Sequence, residues 1–170
     1  AEVNEAYWEV AALVFTGERQ AAHELAGEVL AASMEYAKRP ALGYGWRAGT
    51  ALHQAWLGHL LGDQGLAREG LSYLRDNMEN SPDAWMQRRA TYWYLEGLVV
   101  SDPALAQEIF LDGNTDVIPI HGFALRPHLW YPLLDHPEVR ALFDDHPEWV
   151  QFMRDCWPES RPFPFDQDET

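Results

Sequence analysis

Basic residues are what this chain has least of: 12 Lys and Arg face 27 Asp and Glu, a formal charge of −15 at pH 7. Sequence-independent binding to DNA or RNA depends on Lys and Arg neutralising phosphates, so no nucleic-acid partner is expected. Anionic membrane surfaces are disfavoured for the same reason. An acidic balance otherwise mainly serves solubility. Cysteine is nearly absent. With Cys156 alone there is no intrachain disulfide and no Cys-built metal cluster, which leans the chain towards a reducing, cytoplasmic setting. No run reaches the roughly 18 apolar residues of a bilayer span. The sequence opens inside helical pattern without a starting Met, and no signal peptide is expected in it. It is therefore expected to be a domain of a longer protein.

Catalytic signatures are missing too. Cys156 lies in Arg-Asp-Cys-Trp without a neighbouring base, and there is no Gly-x-Ser-x-Gly elbow or phosphate-cradling Gly loop. Asp144-Asp145 sits at a helix boundary, where paired acids are usually solvated. His23-Glu24 lacks the second His of the zinc-protease helix. His53 and His59 stand about 240° apart around a helix, and His136 and His146 sit where helix caps belong. Asp112-Gly-Asn114-Thr-Asp116 opens like a calcium loop, but Val117 and Phe123 hold the sixth and twelfth places, where Gly and Glu are required. No enzyme, metal or cofactor is expected.

What is present is helical period and aromatic mass. At 170 residues the chain makes one domain or a compact pair of lobes, and eight Trp with seven Tyr could fill an interior or a binding face. Val3, Ala6, Tyr7, Val10, Leu13 and Val14 mark a helix over Glu2–Phe15, broken by Thr16-Gly17. A second follows from Glu18, with Ala22, Leu25, Ala26, Val29, Leu30 and Ser33 inward and Lys38-Arg39 at its end. Pro40–Gly45 reads as a flexible joint.

Ala51–Ala84 organises the rest: two short amphipathic helices and a tight turn, closing after 34 residues. Leu57-Gly58, Leu61, Gly70, Leu74, Asn77 and Pro82 fall at the intervals of the tetratricopeptide (TPR) repeat, which this stretch resembles. It departs from that pattern at Gln54 in the Trp site, Leu61 and Leu74 in the aromatic sites, and Asn77 in the second small site. Gly58 and Gly70 would let the paired helices approach closely. Ser81-Pro82-Asp83 and Ser101-Asp102-Pro103 are helix starts. Residues 85–111 then form a third unit, with Ala106 and Phe110 at small and aromatic sites.

The resemblance implies an all-α, right-handed αα-hairpin superhelix over residues 1–111, about three helix pairs. Residues 112–156 are an irregular loop followed by short capping helices of the same domain. These start at the echoed Asp135-His-Pro-Glu and Asp145-His-Pro-Glu. Residues 157–170 are a Pro-rich acidic tail expected to be disordered. The segment around Pro137–Phe143 also resembles the last helices of TPR-like regions that follow catalytic or DNA-binding domains in bacterial signalling proteins. That implies a regulatory, non-catalytic role.

In the TPR frame Asn4, Tyr7 and Ala11, then Leu52, Ala55 and His59, then Arg88, Thr91 and Leu95 face the inner curve, where the family usually holds a peptide. The expected site is a concave groove lined by Tyr7, His59, Arg88 and Tyr92. Arg88, among aromatics on an acidic protein, would anchor a carboxylate. The expected partner is a protein or peptide segment, a sister domain, or a second copy in a homodimer. The alternative is a small-molecule sensor whose aromatic pocket is closed by the loop from Asp112 to Trp130, through Phe123, Leu125, Trp130 and Tyr131. An enzyme of unrecognised type is a third possibility.

Overall fold

The computed structural model describes residues 2–40 and 43–169, with backbone alone for Glu2, Tyr44 and residues 167–169. Among these residues are ten α-helices, one closing 3-10 helix and no strand. Helices α1 (Glu2–Thr16) and α2 (Arg19–Ala37) turn at Gly17, whose φ of +89° suits glycine and penalises a Cβ. Helices α3 (Tyr44–Leu61) and α4 (Gln64–Glu79) turn at Gly62, φ +82°, and Asp63 caps α4 by accepting from the Leu66 N–H at 3.0 Å. Helices α5 (Ala84–Ser101) and α6 (Pro103–Leu111) complete a third hairpin. Asp83 and Asp102 cap them, accepting from the Met86 and Leu105 N–H groups at 2.9 and 3.1 Å. Asp83, rather than Ser81, is thus the capping residue of α5. Each helix from α1 to α6 packs on the next, and α3 also meets α5.

The central hairpin closes backbone to backbone. A Cβ on Gly70 would stand 2.3 Å from the Ala51 carbonyl oxygen and 2.6 Å from the Ala55 nitrogen. One on Gly58 would meet the Ala67 nitrogen at 3.1 Å. The spacing that reads as a close-approach signature is one.

Beyond α6 the chain departs from expectation. The supposed loop from Asp112 to Trp130 contains the six-residue helix α7 (Ile120–Leu125), followed at once by α8 (Pro127–Leu134), and then come α9 (Pro137–Ala141) and α10 (Pro147–Cys156). Pro stands in the first turn of each of the last three, where its missing N–H costs nothing. His136 caps α9 through its ring, Nδ1 accepting from the Glu138 N–H at 3.2 Å. Helix α8 does more than cover an open end. It lies against α1, α5 and α6, joining the third hairpin to the first. Trp130 is wholly buried there, its ring edge-on to Tyr92 at 5.3 Å.

The tail also differs. Ser160 Oγ donates to the Thr16 carbonyl at 3.1 Å, Arg161 Nε donates to the Phe15 carbonyl at 3.3 Å, and Arg154 pairs with Asp166 at 2.6 Å. Phe163 is buried, and the 3-10 helix Pro164–Glu169 follows it. Residues 157–166 thus pack, because Trp157, Phe163 and Phe165 give a Pro-rich, acidic stretch enough apolar surface to dock. The joint expected over Pro40–Gly45 includes residues 41 and 42, which lie outside the described residues, as does Thr170.

Candidate functional site

Three helices that open hairpins, α1, α3 and α5, turn one face each towards a cavity of about 240 Å³. On α1 this face carries Asn4, Tyr7 and Trp8; on α5 it carries Tyr92, Trp93 and Glu96. On α3 the positions are Gly45, Gly49, Leu52 and His53, a one-turn spacing that keeps a single stripe. The two glycines leave room, since a Cβ on either meets nothing within 4 Å. Helix α2 adds Ser33 and Tyr36, and Arg126 at the α7–α8 junction completes the wall. Tyr7, Ser33, Leu52, His53 and Glu96 are its buried side, while Asn4, Trp46 and Arg126 are exposed and mark its mouth.

Tyr7 organises the interior. Its ring lies 4.8 Å from His53 and edge-on to Trp8 and Trp56 at 5.3 and 5.5 Å. His53 Nδ1 shares a 2.8 Å hydrogen bond with the Ser33 hydroxyl, and burial lowers the imidazole pKa to about 4, so it is neutral at pH 7. At the mouth Trp46 stacks on Tyr36 at 5.1 Å. Arg126 lies over the Trp8 ring at 4.7 Å and donates to the Tyr92 hydroxyl at 3.2 Å. Burial, then the negative field of Glu96, raise the Tyr92 hydroxyl to about 12, the guanidinium opposing them.

Glu96 is the anomaly. It is 3% exposed, and its Oε1 has no hydrogen-bond partner among the described residues; neither has the Tyr7 hydroxyl. Burial raises its carboxyl pKa to about 8, with Arg126 pulling the other way. Burial also raises the Tyr7 hydroxyl, with Glu96 adding to the effect. A buried polar atom left unpaired costs about 1–3 kcal/mol, so each of these two groups is a local cost that a hydrogen-bond partner would relieve.

Of the residues expected to line one groove, Tyr7 and Tyr92 meet at this cavity and His59 and Arg88 do not. His59 lies two turns beyond Leu52 on α3, about 10 Å along the axis, in a separate surface groove with Gln64, Arg68 and Asp102. Arg88 lies one turn before Tyr92, where its guanidinium donates to the carboxylate and main-chain carbonyl of Asp116 and fastens the connection after α6. Thr91 and Leu95, assigned to the inner curve, are buried neighbours of the true lining, which is turned by one residue to 92, 93 and 96. Glu96 was missed, although an acid inside Trp-Tyr-Leu-Glu-Gly-Leu-Val-Val is a readable signal. So was His53, one stripe with the cavity glycines. The calcium-like stretch is a turn in which Asn114 Nδ2 donates to the Ile109 and Asp112 carbonyls.

Comparison of the chain with protein-family models, with curated proteins and with solved structures gives no match.

Proposed function

We propose that this chain is a non-catalytic, ligand-sensing regulatory domain of TPR-like architecture, in which a small molecule enters beside Trp46 and rests against Glu96. One observation carries the reading: a cavity walled by aromatic rings is lined by Glu96 and Tyr7, each of which has a buried, unpaired polar atom. Ligand sites combine such apolar walls with a few convergent polar groups. The volume of about 240 Å³ suits a ligand smaller than the drug-sized ones that fill roughly 300–1,000 Å³. Arg126 ties the cavity to α8, so a ligand displacing or tightening that residue would bias the C-terminal helices.

The rival reading, a peptide in an open trough, is favoured less because α8 occupies the ground between α1 and α5. A thermal-shift screen against metabolites tests the proposal. A ligand at about one hundred times its Kd adds about 2.7 kcal/mol, which for a chain of this size raises Tm by about 5–10 °C. Gly49→Leu should fill the mouth and abolish the shift. No shift from any compound class, or one that survives Gly49→Leu, would remove the cavity from the function.

A further inference from the structure

We infer that the ligand of this cavity is a small organic ammonium ion, its charged head held by the Glu96 carboxylate and its hydrocarbon part by the aromatic walls. The inference rests on the ligand-sensing reading. An ionised carboxylate only accepts hydrogen bonds, and Glu96 Oε1 has none. The partner that best offsets its burial is a cationic N–H donor, since charge-assisted bonds are about twice as strong as neutral ones.

The walls suit the same chemistry. Tyr7, Trp8, Tyr36, Trp46, Tyr92 and Trp93 surround the space, and ring faces attract cations. Three of these rings already seat guanidinium groups: Arg126 over Trp8 at 4.7 Å, Arg39 over Tyr36 at 4.4 Å and Arg89 over Trp93 at 5.4 Å. None of those cations is hydrogen-bonded to Glu96 Oε1. The chain's charge of −15 raises the local concentration of cations as well. The cavity's volume of about 240 Å³, below the roughly 300–1,000 Å³ that drug-sized ligands fill, keeps the ligand small.

The charged and titratable groups around Glu96 leave the field to it. Tyr7 from α1 and Tyr92 from α5 are raised and stay neutral, and His53 from α3 and His128 from α8 are both lowered by burial. Arg126, exposed at the mouth, is the one cation among the cavity-lining residues. With its carboxyl pKa at about 8, Glu96 is mostly protonated in the empty protein at pH 7. Binding then converts R–NH₃⁺ and Glu–COOH into the ion pair R–NH₃⁺ and Glu–COO⁻, and the proton leaves to solvent.

The test uses three probes of nearly one size, 2-phenylethylammonium, 2-phenylethanol and phenylacetate, measured by calorimetry in buffers of differing ionisation enthalpy. The ammonium ion should bind at least about tenfold tighter than the alcohol, phenylacetate weakest. Ammonium binding should release a proton at pH 7, because burial holds the empty carboxyl above its usual range. Glu96→Gln should bring the ammonium ion down to the alcohol's affinity and end the proton release. If that variant fails to fold, the wild-type order of the three probes decides. The alcohol or phenylacetate binding as tightly as the ammonium ion overturns the inference, while leaving the small-molecule reading standing. An ammonium preference that persists in Gly49→Leu lies outside this cavity and overturns it too. If none of the three binds and the metabolite screen is also silent, both readings fall together.

Discussion

The Glu96 carboxyl makes stability depend on pH in a direction unlike that of most acids. Its pKa rises from 4.5 to about 8 on folding, chiefly because burial disfavours the charged form. Between those values the folded state holds a proton that the unfolded chain has lost. Stability from this group is therefore complete below pH 4.5 and is lost as pH climbs to about 8. The span is about 3.5 pH units, and at about 1.36 kcal/mol per unit the loss is about 5 kcal/mol. His53 acts with the opposite sign. Its pKa falls from 6.5 to about 4, so it costs stability as pH drops through that window, by about 3 kcal/mol. The two effects offset each other between about pH 4.5 and 6.5 and part company above. From these two groups the wild type should lose about 2 kcal/mol between pH 6.5 and 8. Urea unfolding of wild type and Glu96→Gln across pH 4.5–8 checks this, because every other titrating group cancels in the difference. That difference should move by about 5 kcal/mol in favour of the variant as pH rises. A difference flat with pH would mean that the folded protein carries Glu96 ionised, paired with Arg126, and the reasoning would fail.

Gly70→Ala should cost about 3 kcal/mol or more in urea unfolding, because its Cβ would strike the Ala51 carbonyl at 2.3 Å and backbone cannot give way cheaply. Gly97→Ala should cost less than about 1 kcal/mol, since the tight approaches of its Cβ are to the ends of Leu74 and Leu71, at 3.1 and 3.3 Å, and Ala55 Cβ lies at an ordinary 3.5 Å. Arg88→Ala should leave ligand affinity unchanged and move stability by less than about 1 kcal/mol, as its ion pair with Asp116 is 52% and 70% exposed. Tyr92→Ala should weaken ligand binding in the same calorimetric assay, because it removes cavity wall and the acceptor that holds Arg126. Phe163→Ala should destabilise by about 3 kcal/mol and open the tail to limited proteolysis, which a tail already disordered would not register.

The hairpins were legible because their signals are local. A glycine at each of the first two turns, Asp63, Asp83 and Asp102 at helix starts, and glycines 58 and 70 at the crossing each act within a few residues. The inner face was legible only to within one residue of helical rotation. A repeat template sets only the average register, whereas the cavity is lined on α5 by residues 92, 93 and 96. Glu96 is invisible to periodicity, because apolar spacing gives no weight to a buried acid. The docking of the tail was hidden by composition: Pro and Asp dominate it, but Phe163 and Phe165 decide where it goes. The contact between Trp8 and His128, rings 6.1 Å apart, joins positions so distant in sequence that no local pattern could announce it.

The packing of α8 against α1 and α5 also supports the proposed small-molecule occupant over a peptide. A peptide seated between α1 and α5 would first have to expel α8, and with it Leu129, Trp130, Leu133 and Leu134, all wholly buried. At roughly 1.5–3 kcal/mol per large apolar side chain, exposing them costs about 6–12 kcal/mol. That rivals the whole stability of a domain, about 5–15 kcal/mol. A competing segment would need affinity equivalent to a Kd between about 40 μM and 2 nM merely to break even, against an occupant tethered at millimolar effective concentration. A small molecule faces no such opponent, because the cavity between Trp46 and Glu96 stays open with α8 in place. The helix that packs against α1 and α5 is also the one whose leading residue, Arg126, walls the cavity, so the case against a peptide and the candidate ligand site rest on the same packing.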